Sequence, residues 1–291
     1  MTPPPLTHDI PESPGQTATR YEVDQQVATI TLFRPERLNA WTRVMNAEYR
    51  AHLERAAADP AVRVIVVTGA GRGFCAGAES DELQGHVDRG SYDAGAPDDL
   101  ATPGQGVRPE FDAELAYHFG IPKPVIAAIN GPVAGIGFAL ACYCDLRFAA
   151  SGATFTTAHG KLGLPCAFGL SWLLPKLIGL TGAMDLILSS RRFDAEEALA
   201  LGLVNGVVAP EDLAEHVRTY ARNLATTVSP ASVAVSKLQV YESHQLNVGE
   251  AVRRAESLLG PMMADPDYRE GVSALREKRP AHFQDLAERP T

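Results

Sequence analysis

Positive charge is scarce in this chain: 26 lysines and arginines stand against 35 aspartates and glutamates, a formal net charge of −9. That balance argues against nucleic acid as the main partner, because phosphate binding wants a basic surface. Local patches can still hold an anionic group. Cysteine is scarce too, at four residues. Cys142 and Cys144 form a C-x-C pair in an apolar stretch, with neither a second pair nor a histidine at zinc spacing. Buried small hydrophobes are therefore expected there, and no metal site. The first nineteen residues contain five prolines and have no basic start and no apolar run. They read as a disordered leader over 1–19, neither signal peptide nor anchor, on a cytoplasmic protein. An unbroken apolar run is missing as well. The longest candidate, 125–146, is interrupted by Asn130, Pro132 and three glycines, which fit a strand, turn and helix better than a membrane span.

What is present is a large apolar fraction, 45% of 291 residues, ample for one large α/β domain or two small ones. Strands are expected at 27–33, 62–68, 125–129, 146–150 and 153–157, with helical sequence between them, so a parallel sheet follows. From residue 195 the pattern turns helical, at 195–201, 211–225, 230–241 and 247–263. The stretch 85–109 has neither periodicity and carries Gly, Pro and Asp throughout, the signature of a loop.

Two glycine-rich segments carry the chemical signal. Residues 130–145, NGPVAGIGFALACYCD, are a glycine bend opening into an apolar helix, which points backbone N–H groups and the positive end of a helix dipole at whatever lies in front. The bland alternative is a buried helix with glycines for close packing. Upstream, 64–79 is a β-branched run ending in the loop GAGRGFCAGAE at 69–79. Two such loops can hold two N–H donors around one oxygen. The second loop is no dinucleotide fingerprint, since its third glycine falls one residue early and Phe74 takes that place.

In order along the chain stand LFRPERLNA at 32–40, the 69–79 loop, PKPVIAAING at 122–131, CD at 144–145, GLV at 202–204 and EKR at 277–279. Together they resemble the enoyl-CoA hydratase/isomerase family, the crotonases, from about residue 21 to 283. The resemblance implies an α/β fold of ββα units wound into a spiral core over 20–194, with 85–109 as a lid on the acyl pocket. It further implies a C-terminal helical region, 195–291, that covers the site and forms a homotrimer or dimer of trimers. The implied ligand is an acyl-CoA thioester, with no metal and no cofactor beyond coenzyme A itself. By position, the resemblance makes the backbone N–H groups of Ala78 and Ile136 the oxyanion donors. Isoleucine stands where glycine is usual, and its stiff side chain would narrow the space around the thioester.

The same alignment places Ala139 and His159 where hydratases of the family carry two glutamates. Relatives that put a glutamate later have it where this chain reads Pro165, Cys166, Ala167 and Phe168. A positioned acid or base is worth roughly 10² to 10⁴ in rate, so ordinary hydration is doubtful. His159 is a candidate single base, the alternative being a solvated surface histidine. Contacts to CoA fall by position on Arg37, Leu38, Ala76, Glu79, Gly135, Lys278 and Phe283, with Glu36 where many relatives have lysine. Glu79, Asp81 and Glu82 are better placed to open a helix than to move protons, and Asp145 to hold a turn. Two functions remain open: an enzyme of this family, or a catalytically degenerate acyl-CoA binding protein.

Overall fold

The computed structural model describes residues 17–90, 111 and 113–286. The chain enters as an antiparallel hairpin of β1 (Thr19–Asp24) and β2 (Val27–Leu32). Its two-residue turn has positive φ at both Gln25 (47°) and Gln26 (66°), the backbone sense that suits the right-handed twist of paired strands. Strands β3 (Val64–Gly69), β4 (Val125–Ile129), β6 (Leu146–Ala150) and β9 (Gly206–Val208) add in parallel, in the order β1-β2-β3-β4-β6-β9. A second, small sheet joins β5 (Val133–Ala134), β7 (Thr154–Thr156) and β8 (Phe193–Asp194).

Successive side chains of a strand face opposite ways, and both faces of the main sheet are covered. Ile30 and Leu32 of β2, Ile65 and Val67 of β3 and Ile129 of β4 bury against Met45, Tyr49, Leu53 and Ala56 of α1 (Arg43–Ala58). Val27, Val64, Val66, Ile126 and Ala128 bury on the other face against α6 (Leu213–Thr227). There Leu213, Val217, Ala221 and Ala225 recur every four residues, one stripe of a helix. Burial on both faces is why β3 and β4 read as continuous apolar runs instead of alternating ones.

Several expectations need correcting. Ala18 and Thr19 do not belong to the expected leader over 1–19: Glu48 accepts hydrogen bonds from their backbones at 2.8 Å, and Thr19 begins β1. Residues 1–16 lie outside the described residues. The expected loop at 85–109 begins too early, because α2 (Ser80–Arg89) runs through 85–89 with Glu79 as its N-cap; the remainder, 91–109, lies outside the described residues. Among the helices after 195, α5 (Ala195–Ala200), α6, α7 (Pro230–Ser243) and α8 (Val248–Ala264) match, while the strand β9 interrupts them and α9 (Pro266–Glu277) follows.

The stretch once weighed as a membrane span is β4, the glycine bend and α3 (Ile136–Tyr143). One described helix, α4 (Leu170–Ser189), is long and apolar enough to cross a membrane, but Gly179 at φ 74° and ψ 162° breaks it into two shorter helices.

Helix α7 returns to the sheet through Asp145, just beyond α3. The Asp145 carboxylate accepts from Val125 N at 2.7 Å, from Lys237 Nζ at 2.7 Å and from Tyr241 OH at 2.8 Å. Lys237 also donates to Lys123 O, and the Tyr241 ring stacks on Phe119 with centroids 3.8 Å apart. Thus Asp145 does hold a turn, and it docks a helix as well. Asp145→Asn, which strands the nearly buried Lys237 ammonium, should cost about 3 kcal/mol of stability, in the range for breaking a buried pair. Adding Lys237→Met should recover part of the loss. Denaturant midpoints of the single and double variants check both statements.

Candidate active site

Three backbone segments meet at the C-terminal ends of β3 and β4. Residues 34–41 begin with a 3-10 turn (Pro35–Arg37), followed by Leu38 and Asn39, both left-handed at φ 49° and 56°. Asn39 is fully buried. Its Oδ1 accepts from Arg34 N at 2.8 Å, and its Nδ2 donates to Ala70 O at 2.9 Å and Gly73 O at 2.7 Å. Asn130, beyond β4, donates to the carbonyls of Gly69, Gly71 and Gly73 at 2.8, 3.0 and 3.2 Å. The glycine turn 69–73 is therefore held between two amides.

Past this turn the chain pairs on both sides. Phe74 N and Cys75 N donate to Pro132 O at 3.2 Å, and Ala134 N donates back to Cys75 O at 3.0 Å. On the other side Ala76 N reaches Leu38 O at 3.0 Å, Trp41 N reaches Gly77 O at 2.7 Å, and Glu79 N reaches Trp41 O at 3.0 Å. Trp41 and Ala78 form a parallel bridge in which Trp41 bonds the two neighbours of Ala78. The N–H of Ala78, between those bonds, faces away from Trp41, and Ala78 is exposed.

Gly135, at φ 52° and ψ −120°, precedes α3 and makes Ile136 its first helical residue. The Ile136 N–H is one of the donors that a helix leaves unpaired at its start. The two loops touch closely. A Cβ on Gly77 would sit 3.3 Å from Ala134 O, one on Gly135 would sit 3.7 Å from Gly77 Cα, and one on Gly137 would sit 2.6 Å from Cys75 Cβ. Glycine is needed at 137 for the first turn of α3 to lie against Cys75. At the far end of α3, the buried Arg147 donates to the carbonyls of Ala141, Cys142 and Cys144, a cation at the negative end of the helix dipole. This arrangement can place two backbone donors and a positive helix end before an oxygen that gains charge.

No acidic residue stands in the first turn of α3 or of the 3-10 turn His159–Leu162, and Ala139 is fully buried. His159 is 8% exposed, so the solvated alternative is set aside. It follows β7, whose Thr156 accepts from Gly135 N at 3.3 Å. Three residues of chain span at most about 10 Å, so His159 stays close to the start of α3. Glu79 is the carboxylate beside Ala78. Burial pushes its carboxyl up, but hydrogen bonds from Arg34 and from the Ser80 backbone and side chain, with the Arg34 charge, bring it below the usual value. Its ion pair with Arg34 spans 2.8 Å. Burial pushes the thiols of Cys75, Cys142 and Cys144 up to about 12, which makes them neutral packing groups at pH 7. Among the described residues no three His, Cys, Asp or Glu side chains are placed to hold a metal.

Of the residues assigned to CoA contact by position, Arg37, Leu38, Ala76, Glu79 and Gly135 come together here, with Arg37 exposed and Glu79 committed to capping α2. Lys278 and Phe283 do not join them within the chain. Lys278 is the C-cap of α9, and Phe283 O accepts from Arg63 at 2.6 Å, just before β3 begins. The candidate site lies past the other end of β3, a strand length of roughly 20 Å away. A cavity of about 320 Å³ lies between α6 and the outer face of β2, β3 and β4, lined by Val27, Val66, Leu213 and Val217 and reaching Gly69 and Asn130 at the outer side of the glycine turn. The sequence motifs missed the work of Arg34, Asn39 and Trp41. Asn39 carried one usable signal, as a non-glycine residue type that tolerates positive φ.

Comparison with known proteins bears on family and fold. A family model described as enoyl-CoA hydratase/isomerase matches residues 22–286. The chain is 37% identical over 262 residues to 1,2-epoxyphenylacetyl-CoA isomerase of Escherichia coli K12, covering 90% of this chain and 96% of that protein. It is 33% identical over 263 residues to crotonyl-CoA hydratase of Syntrophomonas wolfei, covering 90% and 96%. The crystal structure of an enoyl-CoA hydratase from Mycobacterium smegmatis superposes with a TM-score of 0.76 at 27% identity, over 92% of this chain and 99% of that one.

Two outcomes follow for the site. Gly137→Ala should wedge α3 off Cys75 and lower stability by about 1–3 kcal/mol, as overpacking does, measured by denaturant unfolding. Because the folded Glu79 carboxyl lies below its unfolded value, its contribution is complete above the ordinary carboxylate range and is lost as pH falls through the folded value. The stability gap between wild type and Glu79→Gln should thus be full at pH 7 and shrink below about pH 4. A gap that stays constant to pH 3 would contradict the ion pair.

Proposed function

The chain belongs to the enoyl-CoA hydratase/isomerase family, and from that premise we propose that it binds an acyl-CoA thioester with the carbonyl oxygen between the N–H groups of Ala78 and Ile136. What carries the proposal is the pairing of Trp41 with Gly77 and Glu79, which leaves the Ala78 donor outward beside the unpaired start of α3. Each such donor typically stabilises the transition state by about 2.7–4 kcal/mol.

Hydration is not the favoured chemistry. Ala139 and His159 occupy the two places where a carboxylate pair would activate and deliver water. A polarised thioester still acidifies the neighbouring C–H bond. His159 would take a proton from the α carbon, leaving a dienolate whose charge rests on the held oxygen, and return it to the γ carbon. The double bond moves, no water enters and every atom is retained. Ile136 narrows this space with a buried, β-branched side chain. The absence of carboxylates also supports a second reading, an acyl-CoA binder without turnover.

We further propose a homotrimer or dimer of trimers. Helix α8 buries none of its residues and exposes Val248, Val252, Leu259 and Met263, while α4 exposes Leu180, Met184 and Leu188. A second copy on this surface would cover them and could bring its own Lys278 and Phe283 toward the nucleotide end of the ligand.

Calorimetry with crotonyl-CoA, followed by ultraviolet hydration and isomerisation assays on the same sample, tests the function. Expected are binding, slow hydration, and isomerisation of a 3-enoyl-CoA that falls about 10²-fold in His159→Ala, the lower bound for a positioned base, with affinity unchanged. Fast hydration would overturn the loss of the acid/base pair, and binding with no turnover would favour the binder. Failure to bind any CoA thioester would overturn the acyl-CoA assignment.

A further inference from the structure

We infer that Asn39 is the positioning residue for the Ala78 N–H, because its one buried side-chain amide fixes the strand that flanks Ala78 to the glycine turn that leads into it. This rests on the oxyanion role of Ala78 proposed above.

Asn39 is fully buried and its amide is saturated on three sides. The oxygen holds Arg34 N, and the two N–H bonds go to Ala70 O and Gly73 O, which uses both donors the group possesses. A Cβ on Gly69 would lie 2.1 Å from Gly73 O, 2.5 Å from Phe74 O and 2.7 Å from Asn39 Nδ2, so glycine there lets the turn and the amide close together. Asn130 grips the same turn from the other side, but Asn39 alone also sits within the 38–41 segment. That segment makes three backbone bonds on its side of Ala78: Ala76 N to Leu38 O, Trp41 N to Gly77 O, and Glu79 N to Trp41 O. Residues 76, 77 and 79 are thus registered by a strip of chain whose own position depends on Asn39. Moving the strip turns the peptide plane of Ala78 without touching a ligand.

An aspartate is isosteric here and tolerates φ of 56°, but it presents oxygen to Ala70 O and Gly73 O in place of two donors. Asn39→Asp should therefore loosen the turn from the strip while leaving the glycine bend of α3 intact. The probe is 4-(dimethylamino)cinnamoyl-CoA, whose conjugated thioester absorbs at longer wavelength when its carbonyl is polarised. Wild type should bind it with a red shift. Asn39→Asp should bind it and lose most of that shift, and turnover should fall about 10²-fold, the cost of a 1 Å misplacement. Lys237→Met, a destabilised variant far from the turn, should keep the wild-type shift.

A full red shift in folded Asn39→Asp overturns the inference, and so does an equal loss in Lys237→Met. Binding without a red shift in wild type would instead sink the oxyanion role of Ala78. If Asn39→Asp does not fold, amide hydrogen exchange on wild type decides: Ala76 and Glu79 should exchange together with Arg34, whose N–H Asn39 holds. Independent, faster opening of Ala76 and Glu79 would overturn the inference.

Discussion

Buried backbone groups must find partners, and the candidate site is shaped by that constraint. The turn 69–73 places consecutive carbonyls against the protein interior, where two side-chain amides and no regular secondary structure receive them. The bends on either side, 38–41 and 132–135, then take up the N–H groups of Phe74, Cys75, Ala76 and Glu79 and the carbonyls of Cys75 and Gly77. With those donors committed, the ones between them are fixed in position by their bonded neighbours. Ala78 and Ile136 are such donors, one between two bonded neighbours and one at the start of a helix. The role proposed for them thus rests on how the surrounding backbone is paired.

Electrostatics reinforces the same geometry. Helix α3 is buried along its whole length, so its dipole is poorly screened. Its negative end meets Arg147, and its positive end has no opposing carboxylate in the first turn. The nearest acid, Glu79, is ionised but matched by Arg34 and by the start of α2. The proposed donors therefore lie beside a neutralised pair instead of a bare negative charge. This favours an oxygen that gains charge.

The C-terminal helices depend on the core more than the reverse. Asp145 ends the α3 turn and reaches α7 through Lys237 and Tyr241, and α6 closes the outer face of the sheet. Beyond α7, α8 half-buries Ala251, Ala255, Leu258 and Met262 but leaves Val248, Val252, Leu259 and Met263 exposed.

Much was legible in the sequence. Strands β4 and β6 were expected with their observed limits, because burial on both faces leaves uninterrupted apolar runs. The two glycine turns were legible because only glycine fits where backbones approach this closely, so the requirement is written in the residue type. Strand β1 escaped because its turn uses Gln25 and Gln26 in a conformation usually marked by glycine or asparagine, and β5, β8 and β9 are too short to show a period. The pairing of Trp41 with Gly77 and Glu79, the burial of His159 and the separation of Phe283 from the site were decided only by the tertiary structure. Main-chain hydrogen bonds between distant segments depend on where the backbone lies and not on which side chain it carries, so they leave no mark on the order of amino acids.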